Sequence, residues 1–212
     1  MERTAQIGLR GHRVREPRAA DARRHSVLAA AAKVFAEKGY WETSVDDIAT
    51  QLDLTKGTIY YYFSSKSELY LEIQLSAVKQ AIGSVENIVR HGEGPTTTLR
   101  KIVAAQVRET LSGLNQYAVL LHDPYVLSGD AFQTLRNAQR EYERLITEVI
   151  ESGMQSGEFR PGIPKLTAFT ILRATMGVAK WYRPSGAWSP DQVVESMTDQ
   201  LLGGVVQRPP AG

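Results

Sequence analysis

The sequence predicts an all-α protein: a three-helix helix-turn-helix unit at the N-terminal end, then a larger helical domain, about nine helices in all. Three observations carry this expectation. Apolar residues recur at three- and four-residue spacing along most of the 212 residues, and no stretch shows the alternation of a half-buried strand. Serines stand three residues ahead of an acid or amide just before apolar runs, as Ser44/Asp47, Ser65/Glu68 and Ser189/Gln192, the pattern of a capping box. Glycine and proline cluster between those runs, where helices end and restart.

The first helix is expected over residues 21–38, with Val27, Ala30, Ala31, Val34 and Phe35 facing inward and Gly39 ending it. The second starts at Ser44 and buries Val45, Ile48, Ala49 and Leu52, after which Asp53 and Leu54 turn the chain. Thr55 caps the third, which Ile59 and Phe63 anchor to the core, leaving Lys56, Thr58, Tyr60 and Tyr61 on its other faces. Two short helices across a tight turn let one brace against DNA while the next enters the major groove. A helix beginning at Thr55 also offers its amides and positive end to a phosphate. The competing reading is a plain capped hairpin, but three consecutive tyrosines near a lysine are an odd choice for a merely solvated face.

A fourth helix opens at Ser65 and runs through Leu69, Ile73, Val78, Ile82, Val85 and Val89. Its roughly 25 residues reach about 37 Å, enough to join the DNA-reading unit to a second domain as one lever. The loop His91-Gly92-Glu93-Gly94-Pro95 follows, and Leu99, Ile102, Val103, Val107, Leu111 and Leu114 define an amphipathic fifth helix. A short sixth is expected over 116–122, ahead of Pro124. The seventh covers 128–157 and lines up Phe132, Leu135, Tyr142, Leu145, Ile146, Val149 and Ile150. The eighth runs from Pro164 to Tyr182 and the ninth from Ser189 to Gly203-Gly204, with Val193, Met197 and Leu201 inward. The expected division is a disordered basic leader over 1–20, a DNA-binding domain over 21–66, a ligand-binding and dimerisation domain over 67–207 and a disordered tail over 208–212.

Composition excludes several classes. With 42% hydrophobic and 23% charged residues the chain is neither disordered nor membrane-built, and no apolar run approaches the length of a spanning helix. It has no cysteine, so thiolate metal sites and disulfides are out, and its four histidines (His12, His25, His91, His122) are far apart, so no metal or other cofactor is expected. The first residues lack the apolar segment of a signal peptide, and a cytoplasmic location is expected. Residues 1–24 hold seven arginines against Glu2, Glu16 and Asp21, a net of +4 that leaves −2 for the remainder of a chain whose total is +2. Such a leader either lies along phosphates or in the minor groove, or only aids solubility. Nucleotide-binding, serine-hydrolase and zinc-protease motifs are absent, so no enzyme is expected.

The ordered series AAAKVFAEKGYWETSVDDIATQLDLTKGTIYYYFSSKSEL resembles the DNA-binding domain of the tetracycline-repressor (TetR) family of bacterial regulators. The resemblance runs from about Asp21 to Leu75 and implies operator contacts from Thr55, Lys56, Gly57, Thr58, Tyr60 and Tyr61, with Thr43, Ser44 and Lys66 on the phosphate backbone. It also implies a homodimer through the eighth and ninth helices, set on a near-palindromic operator, and release of DNA when a small molecule enters the second domain. A helix apolar on most sides, as the eighth is, fits burial inside its own subunit and against another. A DNA-organising protein without a ligand switch and a non-regulatory ligand carrier are the alternatives. The first would bind DNA with no effector, and the second would select no operator.

Residues that would line a cavity in the second domain are Tyr117, Leu121, His122, Tyr125, Phe132, Tyr142, Phe169, Arg173, Met176 and Trp181. A lone buried arginine at 173 requires an anion, either a ligand carboxylate or phosphate or a Glu across the dimer. The segments GMQSGEFRPGIP and KWYRPSGAWSP are similar to stretches in TetR-family repressors of fatty-acid and steroid catabolism, which implies an acyl-CoA thioester or another hydrophobic effector. Gly162 and Ser185 depart from that pattern.

Overall fold

In the computed structural model, which describes residues 17–114 and 126–207, eight helices are present. They are α1 (Pro17–Lys38), α2 (Val45–Gln51), α3 (Lys56–Tyr62), α4 (Lys66–Arg90), α5 (Pro95–Ser112), α6 (Gly129–Gln155), α7 (Pro164–Trp181) and α8 (Pro190–Val205). The eighth and ninth helices expected from the sequence are therefore α7 and α8. The expected short helix over 116–122, the leader up to residue 16 and the tail over 208–212 lie outside the described residues.

Helices α1, α2 and α3 close around Val27, Ala31, Phe35, Ile48, Ile59 and Phe63, all buried. Burying a side chain of that size is worth about 1.5–3 kcal/mol, which is what lets helices of seven residues hold their shape. The 25 residues of α4 touch α1 near one end and α5 and α6 along the rest, through Leu69, Ile73, Ala77, Val78, Ala81 and Val85. In the second domain α5 is the hub, packed against α4, α6, α7 and α8, whereas α7 and α8 barely touch each other. A smaller cluster of Val107, Val178, Tyr182, Val193 and Val194 seals α5 to α7 and α8.

Three boundaries and one cap differ from the sequence reading. Helix α1 begins at Pro17, four residues earlier, with proline in a first-turn position that needs no amide donor. Pro95, expected in the loop, is likewise the first residue of α5. Ser65 accepts from the Glu68 N–H at 3.1 Å, but the Glu68 carboxylate turns to Ser64 (N–H 2.6 Å, Oγ 2.5 Å), so the box at α4 is only half formed. Finally, α8 continues through Gly203 and Gly204 to Val205, because Arg160 takes up the carbonyls that a fraying end would lose.

Candidate nucleic-acid interface

The turn between α2 and α3 is built on one carbonyl. Ala49 O accepts from Leu52 N–H at 3.1 Å and Leu54 N–H at 3.0 Å, and the tight return puts Asp53 at φ 53°, a left-handed conformation that Asp tolerates better than most. Thr55 then caps α3: its Oγ accepts from Thr58 N–H at 3.2 Å and lies 2.9 Å from the Thr58 hydroxyl. With Ile59 and Phe63 buried, Lys56, Gly57, Tyr60 (45% exposed) and Tyr61 (80% exposed) form the outward face. Lys56 is held against α2 by Asp46 at 2.8 Å, and that carboxylate hydrogen bond raises the lysine's pKa and keeps it charged. An exposed ion pair of this kind is worth little, so the ammonium is free to exchange Asp46 for a phosphate or base edge. By sequence the Asp46-Asp47 pair reads as capping chemistry at a helix start; Asp47 caps α2, while Asp46 instead holds Lys56.

The α2 start is a complete capping box. Ser44 N–H donates to Asp47 Oδ2 at 2.8 Å, Asp47 N–H donates to Ser44 Oγ at 3.1 Å, and Ser44 Oγ also reaches the same carboxylate at 2.7 Å. Lys38 adds a hydrogen bond at 2.7 Å, and Lys38 first, then Ser44, hold the Asp47 carboxyl well below the usual carboxylate range. Two expected backbone contacts are placed otherwise. Thr43 is 2% exposed and its hydroxyl donates to Gly39 O at 2.6 Å, so that side chain closes the turn after α1 and presents nothing to DNA. Lys66 is half-buried with its ammonium on the Tyr40 and Thr43 carbonyls, at 2.9 and 2.7 Å. Burial lowers its pKa, opposed by the charge of Glu42.

Of the cavity candidates, Tyr117, Leu121, His122 and Tyr125 lie outside the described residues. Tyr142 is buried, and its hydroxyl donates to Gln106 Oε1, while Gln106 Nε2 donates to Thr110 Oγ1 at 3.3 Å. Phe132 and Met176 are half-buried. Phe169, Arg173 and Trp181 are exposed on the outer face of α7, so the arginine expected to be buried is not buried in the single chain. The reason is periodic: α7 turns Ala168, Ile171, Leu172, Thr175 and Val178 inward, and a second apolar face stands opposite.

The two C-terminal segments serve the chain's own packing. Phe159 is buried with its ring directly over Gly153, and it forms an isolated antiparallel bridge with Val206. Arg160 N–H donates to Val205 O at 2.9 Å, and its guanidinium reaches Gly203 O at 2.8 Å and Val206 O at 3.2 Å. Glu158 accepts from Thr96 N–H at 3.0 Å at the start of α5, and the bonds from Thr96 lower its pKa. Beyond α7, Tyr182 is buried while Trp181 and Trp188 meet edge-on at 6.4 Å on the surface. Among the described residues no group of three or more His, Asp or Glu could hold a metal, and no helix is long and apolar enough to cross a membrane.

Residues 27–73 match the family pattern "Bacterial regulatory proteins, tetR family", and residues 92–205 match "Tetracyclin repressor-like, C-terminal domain". The HTH-type transcriptional repressor KstR2 of Rhodococcus jostii is 31% identical over 86% of this chain and 91% of its own length. The solved structure of the ketosteroid transcriptional regulator KstR2 of Mycobacterium tuberculosis superposes with a TM-score of 0.80 at 26% identity, covering 88% of this chain and 96% of that one. In fold alone the chain is also similar to AibR solved in complex with isovaleryl coenzyme A and operator DNA, with a TM-score of 0.76 at 24% identity over 85% of this chain and 98% of that one.

Proposed function

The chain belongs to the TetR family of DNA-binding bacterial transcription regulators, and we propose that it is a homodimeric repressor released from its operator by a small molecule bound in the second domain. The observation that carries the DNA half is the outward face of α3: Lys56, Gly57, Tyr60 and Tyr61 are presented together on a helix fixed from behind by Ile59 and Phe63. Ser44 stands exposed at the start of α2, where the first helix of such a pair meets the phosphate backbone. Repression rather than activation follows the name of the 31% identical relative. The place of action is then the cytoplasm, where the operator is.

A second copy is supported by the outer face of α7. Leu166 (59% exposed), Phe169 and Trp181 (46% exposed) give it exposed apolar side chains, with the positive charges of Arg173 and Lys180 set among them. Helix α8 exposes Asp191 and Glu195, so the two helices of one subunit suit those of another in charge. Arg173 accordingly fits a partner acid better than a ligand inside its own bundle.

The effector we propose is an acyl-CoA thioester, steroid- or fatty-acid-derived. Its support is the relatives: a ketosteroid regulator shares the whole architecture, and a protein of the same fold holds isovaleryl coenzyme A. The GEFRP segment packs within the chain, as does Tyr182 of WYRP, so these segments support the branch of relatives rather than a direct ligand contact. Titrating a panel of acyl-CoAs into the protein on its selected operator tests the proposed effector. One or more should weaken DNA binding roughly 5- to 150-fold, the range of typical coupling energies. Undisturbed operator binding across the panel would remove the effector class and leave the DNA-binding assignment standing.

A further inference from the structure

We infer that Lys66 is a positioning residue, a pin between α4 and the turn ahead of α2 that fixes the angle at which α3 is presented. The inference rests on the DNA-binding reading above, in which Lys66 would otherwise be a direct phosphate contact. Its ammonium is engaged on two sides by backbone and on another by an aromatic ring. Two carbonyls of the 40–43 turn accept from it, Tyr40 O at 2.9 Å and Thr43 O at 2.7 Å, and the nitrogen lies 4.3 Å from the centre of the Tyr40 ring. The turn is shaped to present those carbonyls: Gly39 takes φ 83° to end α1, and the Thr43 hydroxyl returns to Gly39 O at 2.6 Å.

The ring under the ammonium is itself fixed. Tyr40 stacks on Phe35 of α1 at 5.7 Å and meets Tyr70 of α4 at 5.0 Å, and Phe35 meets Tyr70 edge-on at 5.4 Å. Phe35 and Tyr70 are fully buried. Three aromatic rings and one cation thus join α1, the turn and the first turns of α4 in one contact. If the ammonium left for a phosphate, it would abandon the Thr43 carbonyl and leave Tyr40 O with the Thr43 N–H alone, at 3.3 Å. A movement of α4 is instead passed to α2 and α3 through this point, because α2 begins two residues after the pinned carbonyl of Thr43, with only its cap Ser44 between.

Reductive methylation of the full-length protein, followed by peptide mass spectrometry, tests the pin with and without an operator selected from a random DNA pool. Lys66 should react at least tenfold more slowly than the exposed Lys33 and Lys79 in free protein, with no further protection on the operator, whereas Lys56 should be protected only by DNA. Lys66→Met should leave the salt dependence of binding unchanged. It should also lose at least tenfold of the preference for the selected operator over a version with one base pair inserted between its half-sites. Fast methylation in the free protein, protection that appears only with DNA, a salt slope flattened by about 0.9 per subunit, or an unchanged spacing preference would each overturn the inference. If the pool yields no enriched sequence, the DNA reading fails on its own, and the free-protein rates still judge the pin.

Discussion

Gly57 has no packing reason to be a glycine. A Cβ added there would meet only Thr55 Oγ1, at an ordinary 3.8 Å, and the position lies in the first turn of α3, where glycine is a poorer helix former than alanine. On the DNA-binding reading proposed above, the glycine serves a close approach of backbone to DNA. Gly57→Ala should therefore raise stability by about 0.5–1 kcal/mol in thermal melts while weakening operator binding at least tenfold by fluorescence anisotropy. Asp47 gives a pH test. Its folded pKa is depressed by Lys38 and Ser44, so its stabilisation is complete above the unfolded value, near pH 4, and is lost as pH falls through the folded one. The melting temperature of wild type should exceed that of Asp47→Asn at pH 7, with the gap closing below about pH 4; a constant gap down to pH 3 would deny the capping role. At this scale the sequence was a good guide to caps and anchors, since Ser44, Thr55, Ile59 and Phe63 follow from spacing. It was a poor guide to the partners of Lys66, because side-chain bonds to carbonyls 23 and 26 residues away leave no periodic trace.

At the scale of elements, the joint between α6, α7 and α8 depends on Gly153. A methyl there would overlap the Phe159 ring, which is buried and has nowhere to turn. Gly153→Ala should cost about 1–3 kcal/mol by denaturant titration. It should also speed amide exchange at Arg160 and Gln207, whose N–H groups donate to Val205 O and Glu158 O across the bridge. Exchange left unchanged would mean that the ring does not hold the bridge. This explains why a segment that looked like a ligand signature is a structural clasp. The helices themselves were legible from 3.6-residue periodicity, but α7 carries two apolar faces, and periodicity alone does not say which one its own subunit covers. That ambiguity put Phe169, Arg173 and Trp181 inside a cavity when they stand on the outside.

For the whole molecule, α4 connects a DNA-reading head to a second domain with an uncovered apolar face, and the account joins the two through a second copy. Replacing Leu166 and Phe169 together by Glu should shift sedimentation from dimer to monomer with helical circular dichroism unchanged, because both side chains are exposed in the single chain. A dimer that survives the double change would place the interface elsewhere. Whether the protein is a two-headed reader of DNA is decided by selecting sequences from a random duplex pool with the purified protein and footprinting the winners. An inverted repeat is expected, with two protected half-sites whose centres lie about one helical turn, or a multiple of it, apart. Enrichment of a single unrepeated site, or of none, would contradict it.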